Sequence, residues 1–218
     1  RCMPKMTVKD GKPYFDGVLI EEIGINAQTG SNARPNTAYV MQQERGSGDI
    51  RAEVNMAWGY GGKDFSGASQ YKPYLGPKFW CPNMQSSADG NNYKLYRYAD
   101  AILMKAECLY EQQEYQEALR YLNMTRVRAT LPPYEDATPE NLIEEIRNER
   151  GKELFGEFQR KFDLVRRGIF YETVRDKNDY TSLQNNLLPC HRYYPIPDTE
   201  VAKSKYILDN KEYEKYGY

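Results

Sequence analysis

A change of period at Tyr98 sets the strongest limit on what this chain can become. Beyond it, apolar residues recur at helical spacing. Tyr98, Ile102, Ala106 and Leu109 form one stripe, and after Gln112-Gln113-Glu114 a second run places Tyr115, Leu119, Leu122 and Val127 on another. The spacing predicts two antiparallel helices joined by a tight turn, with small Ala106 and Ala118 where the helices of a tetratricopeptide-type pair approach closely. One such unit is legible, and a solitary pair leaves a face for something else to cover. Cys108 falls inside the pattern and reads as a small core residue. After Leu131-Pro132-Pro133, Thr138-Pro139-Glu140 opens a third helix, with Thr138 as cap and proline at the first helical position. Its stripe runs Leu142, Ile143, Ile146, Arg150, Leu154, Phe158 and reaches Phe162. Beyond Gly168 the pattern breaks into short helix and loop. Pro189, Pro195 and Pro197 hold an extended segment, and Asp198-Thr199-Glu200 caps a final short helix.

The preceding residues differ in texture. Turn formers recur at Asn32 to Asn36, Gly46-Ser47-Gly48-Asp49, Gly59-Tyr60-Gly61-Gly62, Gly76-Pro77 and Asp89-Gly90-Asn91-Asn92, and permit only short elements. Candidate strands are Val18 to Ile25 and Ile50 to Trp58. The second alternates Ile50, Ala52, Val54, Met56 and Trp58 against Arg51, Glu53 and Asn55. The expected architecture is therefore mainly α: an irregular helical domain with one tetratricopeptide-like pair and a small strand-containing loop region. Residues 1–92 form the loop-rich part and 93–218 the helical part, together one domain of a longer protein.

Thirty Lys plus Arg against thirty-one Asp plus Glu leave a net charge of −1, so no global field draws the chain to nucleic acid or an anionic membrane. The longest apolar runs, Gly17 to Ile20 and Ala101 to Met104, are far too short to span a bilayer. Arg1-Cys2 lacks the small residue that a bacterial lipid-attachment cysteine needs before it, which reads as an internal start. Four cysteines show no paired metal spacing and suit at most one bridge, between Cys2 and Cys81. A single histidine, His191, excludes multi-histidine metal sites, and no cofactor is expected.

Catalytic readings fare poorly against structural ones. Cys190 and His191 are adjacent in an extended segment and would point to opposite faces. Gly59 to Asp64 resembles a phosphate loop but lacks its first glycine and has Asp where Ser or Thr must meet magnesium. Glu149, Glu153 and Glu157 lie on one helix and project in parallel, whereas glycoside cleavage needs two carboxylates flanking a sugar. Their expected role is ionic, with Arg147 and Arg150 pairing across neighbouring helices and Asp163 held by Arg166 or Arg167. Twenty tyrosines and two tryptophans exceed what a core needs. Trp58, Tyr60, Tyr71, Tyr74, Phe79 and Trp80 cluster in a stretch with little regular period, where flat rings either stack on the apolar faces of sugars or pack the loop onto the helices. The candidate ligand residues are Tyr60, Tyr71, Tyr74 and Trp80 for stacking, with Asn83 and Asn91 hydrogen-bonding hydroxyls.

Five motifs in order resemble the C-terminal half of the SusD/RagB nutrient-binding lipoproteins. They are Arg97-Tyr98-Ala99-Asp100-Ala101-Ile102-Leu103-Met104-Lys105-Ala106-Glu107; Leu122-Asn123 through Arg126-Val127-Arg128-Ala129; Ile146 to Leu154; Phe162-Asp163-Leu164-Val165-Arg166-Arg167-Gly168; and Tyr194-Pro195-Ile196-Pro197 with Glu200. Coverage runs from about Asp49 to Ile207. Gly151 replaces an Arg common in the family, and the family's closing pattern reads Glu214-Lys215-Tyr216-Gly217-Tyr218 here. The resemblance implies a noncatalytic, surface-exposed outer-membrane lipoprotein that captures oligosaccharide or peptide for a SusC-like TonB-dependent transporter. It gives no counterpart in this chain to the family's lipidated N-terminus and N-terminal helical half. A helical adaptor for protein partners, and more remotely an α-helical glycosidase, are the other classes the residues admit.

Overall fold

Three helices carry the core because their apolar residues meet on one side. The structure, a computed structural model, describes the backbone of residues 6–9, 12–15, 18–19, 46–57, 59–60, 63–64, 74–79, 95–205 and 207–217, and side chains at 9, 46–56, 76, 78–79, 95–205 and 207–217. Helices α2 (Tyr98–Glu111), α3 (Tyr115–Arg128) and α4 (Pro139–Glu153) pack on one another. Leu103, Ala106, Leu109, Ala118, Leu122, Leu142 and Ile146 form the buried cluster, edged by Tyr110, Tyr115, Leu119, Tyr121 and Tyr134. Ala106 and Ala118 are wholly buried, as the close approach of a helical pair requires. The turn between α2 and α3 is tight because Gln113 takes a φ of 64°. Its N–H donates to the Tyr110 carbonyl (2.9 Å) and that of Glu114 to Leu109 (2.9 Å), which satisfies these two carbonyls in the last turn of α2.

The periodic reading misplaces several side chains at the helix edges. Cys108 is exposed rather than core, because the buried face of α2 passes through Ile102, Leu103, Ala106 and Leu109. Residue 108 lies on the far side of that arc. Tyr98 and Val127 are exposed as well. Helix α4 ends at Glu153, so Phe158 and Phe162 leave its stripe and face solvent. Thr138 does occupy the cap position of α4, with Pro139 first in the helix, but its side chain makes no capping bond. Its N–H donates instead to Asp136 Oδ1 at 2.9 Å.

The stretch expected as a strand from Ile50 to Trp58 opens as a helix. Asp49 Oδ1 accepts the Arg51 N–H at 3.0 Å and the Asp49 carbonyl accepts that of Ala52 at 2.9 Å, which starts α1 (Arg51–Asn55). Arg51, Ala52, Asn55 and Met56 are buried, a helical rather than an alternating set. Strand β4 (Met56–Ala57) follows and pairs antiparallel with β7 (Tyr74–Leu75), matching Ala57 to Tyr74. Between them β5 (Gly59–Tyr60) pairs with β6 (Lys63–Asp64) two residues on. Residues 61–62 and 65–73, where a phosphate loop would turn and open its helix, lie outside the described residues. Gly76 sits where a Cβ would lie 2.6 Å from Met56 N and Val54 O, so only glycine lets the end of β7 lie against α1. A one-turn 3₁₀ helix, Pro77–Phe79, comes next.

Near the start of the chain, β1 (Met6–Lys9), β2 (Lys12–Phe15) and β3 (Val18–Leu19) form an antiparallel sheet in that order. Asp10-Gly11 joins the first two, a two-residue hairpin signal that escaped the sequence reading. Of the strand expected over Val18 to Ile25, Val18–Leu19 is strand and residues 20–25 lie outside the described residues.

Residues 1–158 and 159–218 are two compact units. The second consists of α5 (Arg160–Arg166), α6 (Phe170–Lys177), α7 (Thr181–Asn186), a 3₁₀ turn at Pro189–Arg192, α8 (Asp198–Lys203) and α9 (Lys211–Glu214). Arg166 holds Asp163 at 3.0 Å, as expected. Pro195 and Pro197 flank Ile196, whose N–H and carbonyl are both taken by the Asn210 side chain at 2.8 Å, as a neighbouring strand would do. The extended segment expected from Pro189 starts later, because residues 189–192 curl into the 3₁₀ turn. There Cys190 is buried and His191 Nδ1 accepts the Leu188 N–H at 3.1 Å, which turns the imidazole to structural use.

Candidate functional site

The C-terminal half of α4 carries charge where its N-terminal half carries Leu142 and Ile146. Glu149, Arg150 and Glu153 continue the same buried face. Burying a charge is costly without partners, and each of these has them. Arg51 reaches Glu149 through two bonds, 2.6 and 3.0 Å, Asp49 at 2.8 and 2.9 Å, and Glu153 at 3.2 Å. Glu153 also takes Arg97 at 2.6 Å and Arg128. Arg97 spans to Glu157 at 2.7 Å, and Lys78 meets the same carboxylate at 2.5 Å. Beside this group, Arg150 pairs with Asp100 at 2.9 Å.

The electrostatics follow from this geometry. Burial by itself raises the Glu153 carboxyl, but Arg128, Arg97 and Arg51 outweigh it and hold the group below the ordinary carboxylate value. Burial works against the Arg51 and Arg97 cations too, yet bonds to Asp49 and Glu149, and to Glu157 and Glu153, leave both more firmly protonated than in water. At Lys78 burial wins over the attraction of Glu157 and pushes the ammonium down to about 8. Every Glu149 and Glu153 oxygen accepts from a guanidinium. Neither carboxylate is left to serve as acid or base toward a substrate.

The ionic role expected for these glutamates is therefore observed, with other partners. Arg147 pairs with Glu144 at the surface, and the cations that reach Glu149 and Glu153 are Arg51, Arg97 and Arg128. Lys78 and Asn55 escaped the sequence reading as well, since nothing local marks them as partners of a helix end. Arg97 did carry a signal: it opens the first of the five motifs, directly before an apolar helix.

Of the aromatic stretch, part is described. Tyr60 stands on β5 opposite Lys63, and Tyr74 on β7 opposite Ala57, in both cases as backbone. Tyr71, Trp80, Asn83 and Asn91 lie outside the described residues, as do Trp58, Cys2 and Cys81. Strands β4 and β7 bracket residues 58–73 in the chain, and the strand pair is tied to α4. Asn55 Nδ2 donates to the Lys152 carbonyl at 2.9 Å, and Lys78 Nζ to those of Glu153 and Phe155 at 2.9 Å each. Among the described residues no group of His, Cys, Asp and Glu is arranged to hold a metal ion, and no helix is long and apolar enough to cross a membrane.

Comparison with known proteins places these features in a family. The SusD family model matches residues 8–213. The chain belongs to the SusD family. It is similar to the SusD-like protein P25 of Formosa agariphila, 31% identical over 170 residues that make up 74% of this chain and 31% of that protein. The SusD-like protein P38 of the same organism is 28% identical over 190 residues, 77% of this chain and 38% of that one. The chain thus spans about a third of the length of these SusD-like relatives. Among solved structures, a SusD superfamily protein from Bacteroides vulgatus matches with a TM-score of 0.63 and 26% identity, over 78% of this chain and 42% of its own. The mainly helical architecture expected from the sequence is the SusD fold. Residues 46–57, 74–79 and 95–158, which carry the ionic cluster, all lie inside the matched range.

Proposed function

We propose that this chain serves noncatalytic capture of an oligosaccharide at the cell surface. It does so as part of a lipid-anchored outer-membrane protein that passes its cargo to a SusC-like TonB-dependent transporter. Tyr60, Tyr71, Tyr74 and Trp80 stack on the sugar rings, and Asn83 and Asn91 bond their hydroxyls. The observation that carries this reading is SusD family membership across residues 8–213. The aromatic stretch adds support, since it issues from a strand pair tied to a helix end and is rich in flat, amphipathic rings. The saturated carboxylates favour binding over hydrolysis, because Glu149 and Glu153 have no oxygen to offer a glycosidic bond.

Titration calorimetry with maltohexaose, laminarihexaose and xylohexaose tests it, with a peptide library as the competing ligand class. One aromatic wall leaves most of a sugar in water, so dissociation constants near the millimolar level are expected, about −4 kcal/mol. A version extended toward the length of the relatives is expected to bind more tightly. Tyr60→Ala, Tyr74→Ala and Trp80→Ala each weaken binding on this reading. Affinity unmoved by all three assigns the rings to packing, and binding of peptides alone assigns the cargo to that class.

A further inference from the structure

We propose that Asn55 and Lys78 are positioning residues that plant the strand pair β4–β7, which brackets residues 58–73 in the chain, on the C-terminal end of α4. That the planted segment bears ligand rests on the function proposed above; that it is planted does not.

A helix ends in carbonyls without intrahelical partners, and that end carries partial negative charge. At α4 these acceptors are met from outside. Asn55 immediately precedes β4 and donates to the Lys152 carbonyl, while Lys78, the third residue after β7, donates to the carbonyls of Glu153 and Phe155. The two feet also hold each other, for the Gly76 N–H donates to the Asn55 carbonyl at 2.8 Å. Phe79 completes the seat. A Cβ on Gly156 would stand 2.3 Å from its ring, and Phe155 meets it edge-on at 6.0 Å between centroids. Gly156 has a φ of +71°, so both its backbone and its missing side chain suit this seat.

Lys78 shows that the contact is more than filling. Its ammonium is buried against its own preference, and it stays because two carbonyls and Glu157 converge on Nζ. An apolar side chain would avoid that cost, but it would take one donor from each of these carbonyls and from the Glu157 carboxylate, which would keep its bonds to Arg97. The result is a strand pair, β4 with β7, rooted in one helix end through both of its chain ends.

Amide hydrogen exchange on the full chain carrying Lys78→Met tests the seat. Exchange at Gly76 and along β4 and β7 is expected to quicken at least tenfold, while amides of Leu103, Ala106, Leu122 and Ile146 stay within twofold of wild type. Unchanged exchange at Gly76 overturns the proposal. So does equal quickening in the helical core, which would make Lys78 an ordinary stabilising residue. Should Lys78→Met fail to fold, Asn55→Ala leaves the lysine in place and is held to the same two criteria. Calorimetry of Lys78→Met with the three hexasaccharides separates this idea from the binding reading. Local quickening with no binding even in wild type keeps the seat and discards the oligosaccharide, whereas binding with unmoved exchange does the reverse.

Discussion

The two halves of α4 close against the same unit by opposite chemistry. Leu142 and Ile146 meet the apolar faces of α2 and α3, where loss of water-exposed area is the driving force and no orientation is demanded. From one turn further on, Glu149, Arg150 and Glu153 occupy the same face: the two glutamates bind cations from α1, α3 and the residue before α2, and Arg150 binds the Asp100 carboxylate of α2. The apolar half tolerates variation in shape. The ionic half does not, since each charge there has been stripped of water and is held by direct bonds. The difference shows what an ionic face adds to a helical core: it fixes which segments of irregular chain sit at the helix end, at some cost in stability relative to an apolar face.

The largest expected effect comes from breaking the ionic half at its centre. Arg51→Met leaves Asp49, Glu149 and Glu153 with fewer cations than carboxylates in a buried place, and is expected to cost about 3–5 kcal/mol in urea unfolding. A loss below about 1 kcal/mol would show that water enters the cluster, and the contrast between the halves would fall.

How much of α4 was legible beforehand follows the same division. Leu142, Ile143 and Ile146 announce themselves by period, which is a local property. Glu149 and Glu153 share that period, but charges at those positions also describe a solvated face, and their partners are far off in sequence. Arg97 is 56 residues from Glu153, and Arg51 is 102. No local pattern pairs such residues, which is why nearby Arg147 and Arg150 were the expected partners. The alternation from Ile50 to Trp58 misled for a related reason. A five-residue helix is too short to show its period, and what starts it is the Asp49 side chain, a polar turn signal with no weight in an apolar count. The aromatic stretch was legible as composition, since 20 tyrosines need some use. The seat of the β4–β7 pair was not legible, because its acceptors are main-chain carbonyls at the end of α4, which no side-chain pattern records.

Acid should act on the ionic half first. The folded Glu153 value lies below its ordinary 4.5, so the group binds fewer protons folded than unfolded in that range. Its contribution is complete above pH 4.5 and is lost as pH falls through the folded value. Glu153→Gln is therefore expected to be less stable at neutral pH and to show a shallower loss of stability below pH 4.5. Parallel stability–pH curves for the two proteins would mean that the three arginines do not bias this carboxyl.

The apolar half answers to a smaller change. Ile146 is fully buried, and Ile146→Val removes one methylene while asking nothing of any charge, for an expected loss of about 1 kcal/mol with no added pH dependence. A loss as large as that of Arg51→Met would mean that packing around α4 is as exacting as its ion pairs.

The smallest effect is expected where the same ion-pair chemistry stands in water. Glu117 and Arg120 face each other one turn apart on α3 at 2.5 Å, with side chains 44% and 57% exposed. The bond to Arg120 draws the Glu117 carboxyl below its usual value, yet a pair so hydrated gives back most of that attraction in side-chain ordering and screening by salt. Arg120→Ala would be a poor probe, because the guanidinium also lies 4.5 Å from the Tyr121 ring and its loss would remove that contact too. Glu117→Gln keeps the shape and removes only the charge. Its unfolding midpoint in urea is expected to match wild type at low and at high salt. A clear fall at low salt that vanishes at high salt would show that solvent exposure does not explain the strength of the cluster at α4, and that geometry at short range does.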